Sequence, residues 1–173
     1  MIEDFANPRF RQAFQSYFQE LGIQVRDWDG LFREMDTDSR GTRAIVRAEG
    51  ERTVGFIQFC PIEFSSWFFT KGAGFVREFW VAPEFRGKGH GKALLGKAES
   101  WFQSQGLGLV LLTTDTASGF YERLGYRPDR QFQAKNQDMV YRKEIREESE
   151  SGMQSRRKDI FLDVVFLFAG ALV

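Results

Sequence analysis

Apolar residues along the chain recur with helical spacing in some stretches and as alternating or continuous runs in others. After Asn7-Pro8, apolar residues from Phe10 to Leu21 lie on one helical face, and Gly22 ends the stripe. Runs rich in β-branched and aromatic residues predict strands instead. In chain order the pattern predicts a helix over 8–21, a short helix after Asp27 or Asp29, strands over 42–48, 53–60 and 75–81, a helix over 91–105, a strand over 107–114, a helix over 117–124, and strands near 126–135 and 137–145.

This order of elements predicts an α/β sandwich rather than a doubly wound parallel sheet. The segment at 107–114 is almost continuously apolar, as expected of a central strand that is covered on both faces. Residues 61–74 are rich in aromatic side chains and are predicted to form a long connection. A chain of 173 residues is long enough for one domain with a substantial core.

A glycine-rich segment joins the strand at 75–81 to the helix at 91–105. It reads Arg86-Gly-Lys-Gly-His-Gly91, with glycine at every second position. Alternating glycines allow a tight turn that exposes backbone N–H groups, and the following helix adds the positive end of its dipole. The segment therefore predicts a site for a phosphate or pyrophosphate group. Taken alone, it is equally typical of a structural turn with a solvated basic rim.

A second segment completes a two-part pattern. Beyond the next predicted strand the chain reads Ala117-Ser-Gly-Phe120-Tyr121-Glu-Arg-Leu-Gly125-Tyr126. Together with Arg86-x-x-Gly89-x-Gly91 it resembles, in order and spacing, the signatures of the GNAT N-acetyltransferase superfamily. The resemblance covers roughly residues 5–146. It implies transfer of an acetyl group from acetyl-CoA to a primary amine. The implied fold is a mixed, mostly antiparallel central sheet that is flanked by helices and split at the acyl-CoA site.

The resemblance also implies which residues bind acetyl-CoA, a co-substrate that needs no metal. Backbone N–H groups of the glycine-rich loop would meet the pyrophosphate, and the strand backbone at 79–81 would run beside the pantetheine arm. The family often carries an asparagine before its tyrosine helix, and Thr116 or Ser118 would replace that contact here. The implied set is Phe79, Trp80, Val81, Arg86, Gly87, Lys88, Gly89, His90, Gly91, Lys92, Thr116 and Ser118. His90 is expected to be exposed, with its backbone rather than its ring facing the phosphate.

Tyr121 is the candidate general acid. In the family, a tyrosine at this place lies near the CoA sulfur and can protonate the leaving thiolate. A phenol with an ordinary pKa of about 10 keeps its proton at neutral pH. The alternative is a half-buried ring that covers the sheet with its hydroxyl in water.

Glu78 is the candidate general base, acting directly or through a water. A carboxylate in the middle of an aromatic strand is expected to be partly desolvated, which raises its pKa. Strand alternation places it on the same face as Val76 and Trp80. Pairing with a basic residue of a neighbouring strand is the open alternative. Glu63 and Asp115 are lesser candidates, and Asp115 is also a candidate cap for the helix at 117–124.

Composition limits the other classes of function. Lysine and arginine total 24, as do aspartate and glutamate, so the formal net charge is zero and gives no bulk attraction to nucleic acid or an anionic membrane. Cys60 and His90 are the single residues of their types, which makes a zinc site or a Cys–His nucleophile pair not credible. Direct transfer without an acyl-enzyme is therefore expected. The absence of a signal-peptide pattern favours a cytoplasmic location.

The end of the chain differs from the rest. Residues 1–146 are expected to form the acyltransferase domain, 147–159 a polar linker, and 160–173 an apolar tail. The tail is shorter than the roughly 20 apolar residues that span a bilayer, so packing on the domain or on a second subunit is favoured, which is compatible with a homodimer.

Neutral charge and the aromatic 61–74 segment favour a small-molecule amine over a protein as acceptor. The alternative function is a non-catalytic CoA-binding or protein-interaction module.

Overall fold

The computed structural model describes residues 7–37, 41–68 and 70–145. Helices α1 and α2 are followed by three strands, a short 3-10 turn, helix α3, strand β4, helix α4 and two final strands. The bounds are α1 Pro8–Glu20, α2 Trp28–Thr37, β1 Arg43–Glu49, β2 Arg52–Ser65, β3 Thr70–Val81, the 3-10 turn Pro83–Phe85, α3 His90–Ser104, β4 Leu109–Thr114, α4 Ser118–Arg123, β5 Arg127–Pro128 and β6 Met139–Glu144. The predicted order of helices and strands is confirmed.

The start of α1 follows from its capping residues. The Asn7 side chain accepts a hydrogen bond from the backbone N–H of Arg9 at 2.9 Å, and Pro8 occupies the first turn. The apolar stripe of the helix packs on the sheet, where Phe10 and Phe14 contact the ring of Phe56 with centroids 5.3 and 5.6 Å apart. This packing fixes one face of α1 against β2 and β3.

The sheet has six strands in the order β1-β2-β3-β4-β6-β5, and only the β3–β4 pair is parallel. Pairing between β3 and β4 is limited to Gly74 with Val110 and Phe75 with Leu111. Beyond these pairs β3 continues to Val81 and β4 to Thr114, and the two strands separate. The predicted fold class, a mostly antiparallel sheet split at its centre, is confirmed.

A β-bulge in β3 corrects the predicted facing of its side chains. Gln58 of β2 pairs with Glu78 and Phe59 pairs with Val76, so Arg77 is an extra residue on β3. Val76 consequently packs in the cluster that contains α3, whereas Trp80 packs in the cluster that contains α1. The expectation that Val76, Glu78 and Trp80 share a face is wrong for Val76, because strict alternation fails at the bulge.

Strand β4 is buried on both faces, as its apolar run predicts. Val110 and Leu112 pack with the α3 residues Leu94 and Phe102, whereas Leu109 and Leu111 pack in a separate cluster on the other side. Helix α3 therefore covers the sheet directly over the point where β3 and β4 separate.

Two predicted segments differ from the structure. Most of the predicted connection at 61–74 is strand, because β2 and β3 extend into a long hairpin in which Ser65 still pairs with Thr70. The predicted strand near 126–135 is reduced to Arg127–Pro128. The predicted 147–159 linker and 160–173 tail, and therefore the dimer inferred from that tail, lie outside the described residues. Each helix in the described part of the chain is too short or too polar to span a bilayer.

Candidate active site

A cleft opens where β3 and β4 separate, and it has a volume of about 710 Å³. One wall is the end of β3 with the glycine-rich loop, and the opposite wall is α4. The C-terminal end of α1 covers part of it. The lining residues are Tyr17, Glu20, Leu21, Phe79, Trp80, Val81, Phe85, Arg86, Gly87, Gly89, Gly91, Lys92, Thr116, Ala117, Phe120, Tyr121, Arg123 and Leu124. Most of the residues predicted to bind acetyl-CoA therefore line one cavity.

The glycine-rich loop has the backbone geometry that only glycine adopts readily. Gly87 and Gly89 have φ angles of 74° and 84°, and a Cβ at either position would meet no atom within 4 Å. Helix α3 begins immediately afterwards with Gly89 as its N-cap, and glycine has no side chain that could bond to the first N–H groups of the helix. These N–H groups and the positive end of the α3 dipole are the features that bind phosphate in other proteins.

Arg86 has partners within the protein. Its Nη2 donates to Glu20 Oε1 at 2.6 Å, and its Nε donates to the carbonyl oxygen of Val81 at 2.9 Å. Glu20 Oε2 accepts a second hydrogen bond from Trp80 Nε1 at 2.8 Å. The bonds from Trp80 and then Arg86 hold the pKa of the Glu20 carboxyl below its ordinary value. Glu20 thus links the end of α1 to both β3 and the loop, a role that no local motif indicates.

Glu78 lies partly buried under α1, where the Tyr17 hydroxyl donates a hydrogen bond to its Oε2 at 2.8 Å. Burial raises the pKa of the Glu78 carboxyl, and the hydrogen bond from Tyr17 opposes this rise. Burial and the nearby charge of Glu78 raise the pKa of Tyr17 in turn. Tyr17 was not among the predicted site residues, because only the packing of α1 on β3 brings it to Glu78.

Tyr121 lies on α4 and is buried, with its ring packed between Phe120 and Tyr126. Burial, followed by the charge of Glu78, raises the pKa of its phenol above the ordinary value of 10.0. The hydroxyl therefore carries its proton at neutral pH. Tyr121 and Glu78 are close enough to interact electrostatically, and Tyr121 lines the cleft.

Comparison with known proteins agrees with this geometry. The family model described as the acetyltransferase (GNAT) family matches residues 2–126. The chain belongs to the GNAT family. The predicted family and the acyltransferase class of the domain are thus confirmed.

Individual GNAT proteins resemble this chain at different levels. An uncharacterized N-acetyltransferase of Archaeoglobus fulgidus is 35% identical over 97 residues, which span 56% of this chain and 54% of that relative. The chain therefore matches only about half the length of this curated relative. Among solved structures, an aminoglycoside 6′-N-acetyltransferase complexed with coenzyme A has a TM-score of 0.62 at 17% identity, covering 85% of this chain and 98% of that one. A predicted acetyltransferase of Clostridium acetobutylicum with acetyl-CoA has a TM-score of 0.65 at 13% identity, covering 77% and 92%.

Lys88 and His90 of the glycine-rich loop are placed differently from the sequence-based prediction. The Nζ of Lys88 donates to the backbone carbonyl of Glu84 at 2.8 Å and lies 5.5 Å from the centroid of the Phe85 ring, and Lys88 does not line the cleft. His90 is 8% exposed rather than solvated, because it begins α3 with its ring against Phe85. The prediction of an exposed His90 is wrong, since the helix start points its side chain inward.

The remaining predicted positions divide between the cleft and the surface. Thr116 lines the cleft, whereas Ser118, the first residue of α4, does not. Asp115 is exposed and does not cap α4, because the N–H of Ala117 donates instead to Thr114 Oγ1 at 3.1 Å. Glu63 is exposed on the β2–β3 hairpin, outside the cleft. Glu78 does not line the cleft itself, but it is partly buried and bonded to Tyr17, which does, so the geometry favours it over both exposed candidates.

Proposed function

We propose that this GNAT chain transfers the acetyl group of acetyl-CoA directly to the primary amine of a small molecule. The observation that carries the proposal is the opening between β3 and β4. It brings an anion-binding loop and a buried phenol to one cleft, and Tyr17, which lines the same cleft, donates a hydrogen bond to the partly buried carboxylate of Glu78.

Acetyl-CoA would enter along the separated strands. The N–H groups at the start of α3 and the Lys92 side chain would bind the pyrophosphate. The pantetheine would run along β3, whose edge from Val76 to Val81 is not paired by any of the described strands on the cleft side. Thr116 on the opposite wall would offer a further hydrogen-bonding group.

The reaction needs one proton acceptor and one proton donor. Glu78, or a water bound to it, takes a proton from the amine, whose nitrogen attacks the thioester carbonyl. A backbone N–H near Val81 polarises that carbonyl. The C–S bond then breaks, and Tyr121 gives its proton to the departing thiolate. Proton transfer by such groups contributes roughly 10²–10⁴-fold, and holding the two substrates together supplies much of the remainder.

The test is calorimetric titration with acetyl-CoA of the unaltered protein and of Gly89→Glu, followed by an assay of thiol release with amines. Gly50→Glu is the matched control, because Gly50 also has a positive φ of 59° and open space around it but lies in the β1–β2 turn. Micromolar binding that is lost only in Gly89→Glu supports the loop as the pyrophosphate site. Equal acetyl-CoA binding by both variants would contradict the assignment of the loop as the pyrophosphate site.

The second candidate is a CoA-binding interaction module without turnover. It is favoured by the tip of the β2–β3 hairpin, where Trp67 and Phe68 are 99% and 94% exposed. This candidate predicts acetyl-CoA binding but no thiol release with any amine. Thiol release that depends on an added amine would eliminate it.

A further inference from the structure

A second cavity, of about 600 Å³, lies beside Glu78, the candidate base. Glu78 lines this cavity, and Tyr17, to which the Glu78 carboxylate is bonded, lines the acetyl-CoA cleft. The two cavities therefore meet at the Tyr17–Glu78 pair. An amine held in the second cavity would reach Glu78 from the side of α1 and α2. None of the described residues of the 61–74 segment lines this cavity.

The bulge in β3 shapes the polar side of this cavity. In a regular strand, consecutive side chains point to opposite faces. Arg77 and Glu78 are consecutive, yet both line the cavity, because Arg77 is the extra residue of the bulge. Thr42 and Gln58 complete the polar side.

The opposite side of the cavity is apolar. It is built by α1, α2 and the connection between them, and most of its side chains are only partly buried in the protein. These residues are Phe14, Phe18, Val25, Leu31 and Met35. An apolar wall of this size favours a ligand with a hydrocarbon or aromatic body, since removing the apolar surface of the ligand from water favours binding.

The charges of the lining favour a cation over an anion. Glu34 and Glu78 contribute carboxylates, and Arg77 is the single basic residue among the described lining residues. The Nη1 of Arg77 already donates to Thr42 Oγ1 at 3.1 Å. A carboxylate on the acceptor would meet two like charges and one opposite charge, whereas a protonated amine would be attracted by two carboxylates and repelled by one guanidinium.

We propose that the acceptor is a small monoamine with an apolar body and no carboxylate. This inference rests on the proposed function, because it assigns the substrate class of the same site. The amine lies at Glu78, and the hydrocarbon or aromatic part lies against the wall from α1 and α2. A polyamine lacks the apolar body, and a free amino acid adds the disfavoured carboxylate.

The first experiment compares acceptors at saturating acetyl-CoA by thiol release. The probes are 2-phenylethylamine, L-phenylalanine, spermidine and a short peptide with a free α-amine. We expect kcat/KM for 2-phenylethylamine to exceed each of the others by about tenfold or more. Equal or better use of L-phenylalanine, spermidine or the peptide overturns the acceptor class while leaving the transferase intact. Acetyl-CoA binding with no transfer to any amine overturns both the transferase and this inference.

Variants of the cavity lining give the second readout. Met35→Gln keeps the side-chain length but makes the wall polar, so KM for 2-phenylethylamine should rise about three- to tenfold while KM for acetyl-CoA stays unchanged. Ile23→Gln is the matched control, because Ile23 is 47% exposed and does not line the cavity. Glu34→Gln should lower the ratio of kcat/KM for 2-phenylethylamine to kcat/KM for L-phenylalanine. An unchanged KM in Met35→Gln, with folding confirmed by its thermal midpoint, overturns the proposed placement of the apolar body.

Discussion

The hydroxyl of Tyr17 donates a 2.8 Å hydrogen bond to the Glu78 carboxylate, which joins the first helix of the chain to the bulged strand of the split sheet. This bond stabilises the charged form of Glu78 against the burial that destabilises it. The pKa of the candidate base therefore depends on a residue that lies far from it in the sequence.

Tyr17→Phe should move the acidic limb of the kcat/KM profile to higher pH. Removing the donor leaves only the charge of Arg77 to oppose burial, so the pKa of Glu78 rises further and the carboxylate forms only at higher pH. Tyr141→Phe is the control, since its hydroxyl bonds to Glu122 and not to Glu78. A limb that stays in place, or moves to lower pH, would exclude Glu78 as the group that titrates.

Tyr121→Phe should lower kcat by about 10²-fold or more while the Kd for acetyl-CoA changes by less than about twofold. The phenol is expected to act only when the thiolate departs, so the bound ground state does not need it. Tyr126→Phe is the matched control, because that buried hydroxyl bonds to Glu99 at 2.9 Å outside the cleft. Comparable losses of kcat and of acetyl-CoA affinity in Tyr121→Phe would indicate a packing role instead.

Glu20→Gln should strengthen acetyl-CoA binding by about three- to tenfold. Glu20 places a negative charge in the cleft and holds Arg86, and both effects oppose a polyanionic ligand. Calorimetry at two salt concentrations measures the effect, and the gain should shrink at high salt. Glu51→Gln, on the exposed β1–β2 turn, is the control. Weaker binding in Glu20→Gln would mean that Glu20 holds Arg86 in its binding position.

Gly74→Ala should destabilise the fold by roughly 1–3 kcal/mol. Gly74 pairs with Val110 where β3 and β4 separate, and a Cβ there would lie 2.5 Å from ring atoms of Phe102. Gly96→Ala in α3 is the control, since its Cβ would meet no atom within 4 Å and alanine favours the helix. Urea unfolding of both variants measures the difference. If Gly74→Ala leaves the free energy of unfolding unchanged, α3 can move away from the point where β3 and β4 separate.

The sequence predicts the parts of this site that depend on local pattern. The glycine-rich loop, the apolar stripe of α3 and the position of Tyr121 each lie within one short segment, so spacing is sufficient to find them. The bulge at Arg77 and the Tyr17–Glu78 and Glu20–Arg86 contacts depend on strand register and on how α1 packs. Period-2 alternation cannot reveal a bulge, and a helical stripe does not show which of its edge residues reach another element.

The separation of β3 and β4 also has a consequence for the stability of the folded protein. Between these strands, two residue pairs join one half of the sheet, β1-β2-β3, to the other half, β4-β6-β5. A ligand that lies along the edge of β3 that β4 leaves unpaired would bind to the native state only. It would therefore raise the free energy of unfolding by RT ln(1 + [L]/Kd). Amide hydrogens near the point where the strands separate should then exchange with solvent more slowly as the ligand concentration rises. The free energy of unfolding would therefore increase with the concentration of acetyl-CoA around the protein.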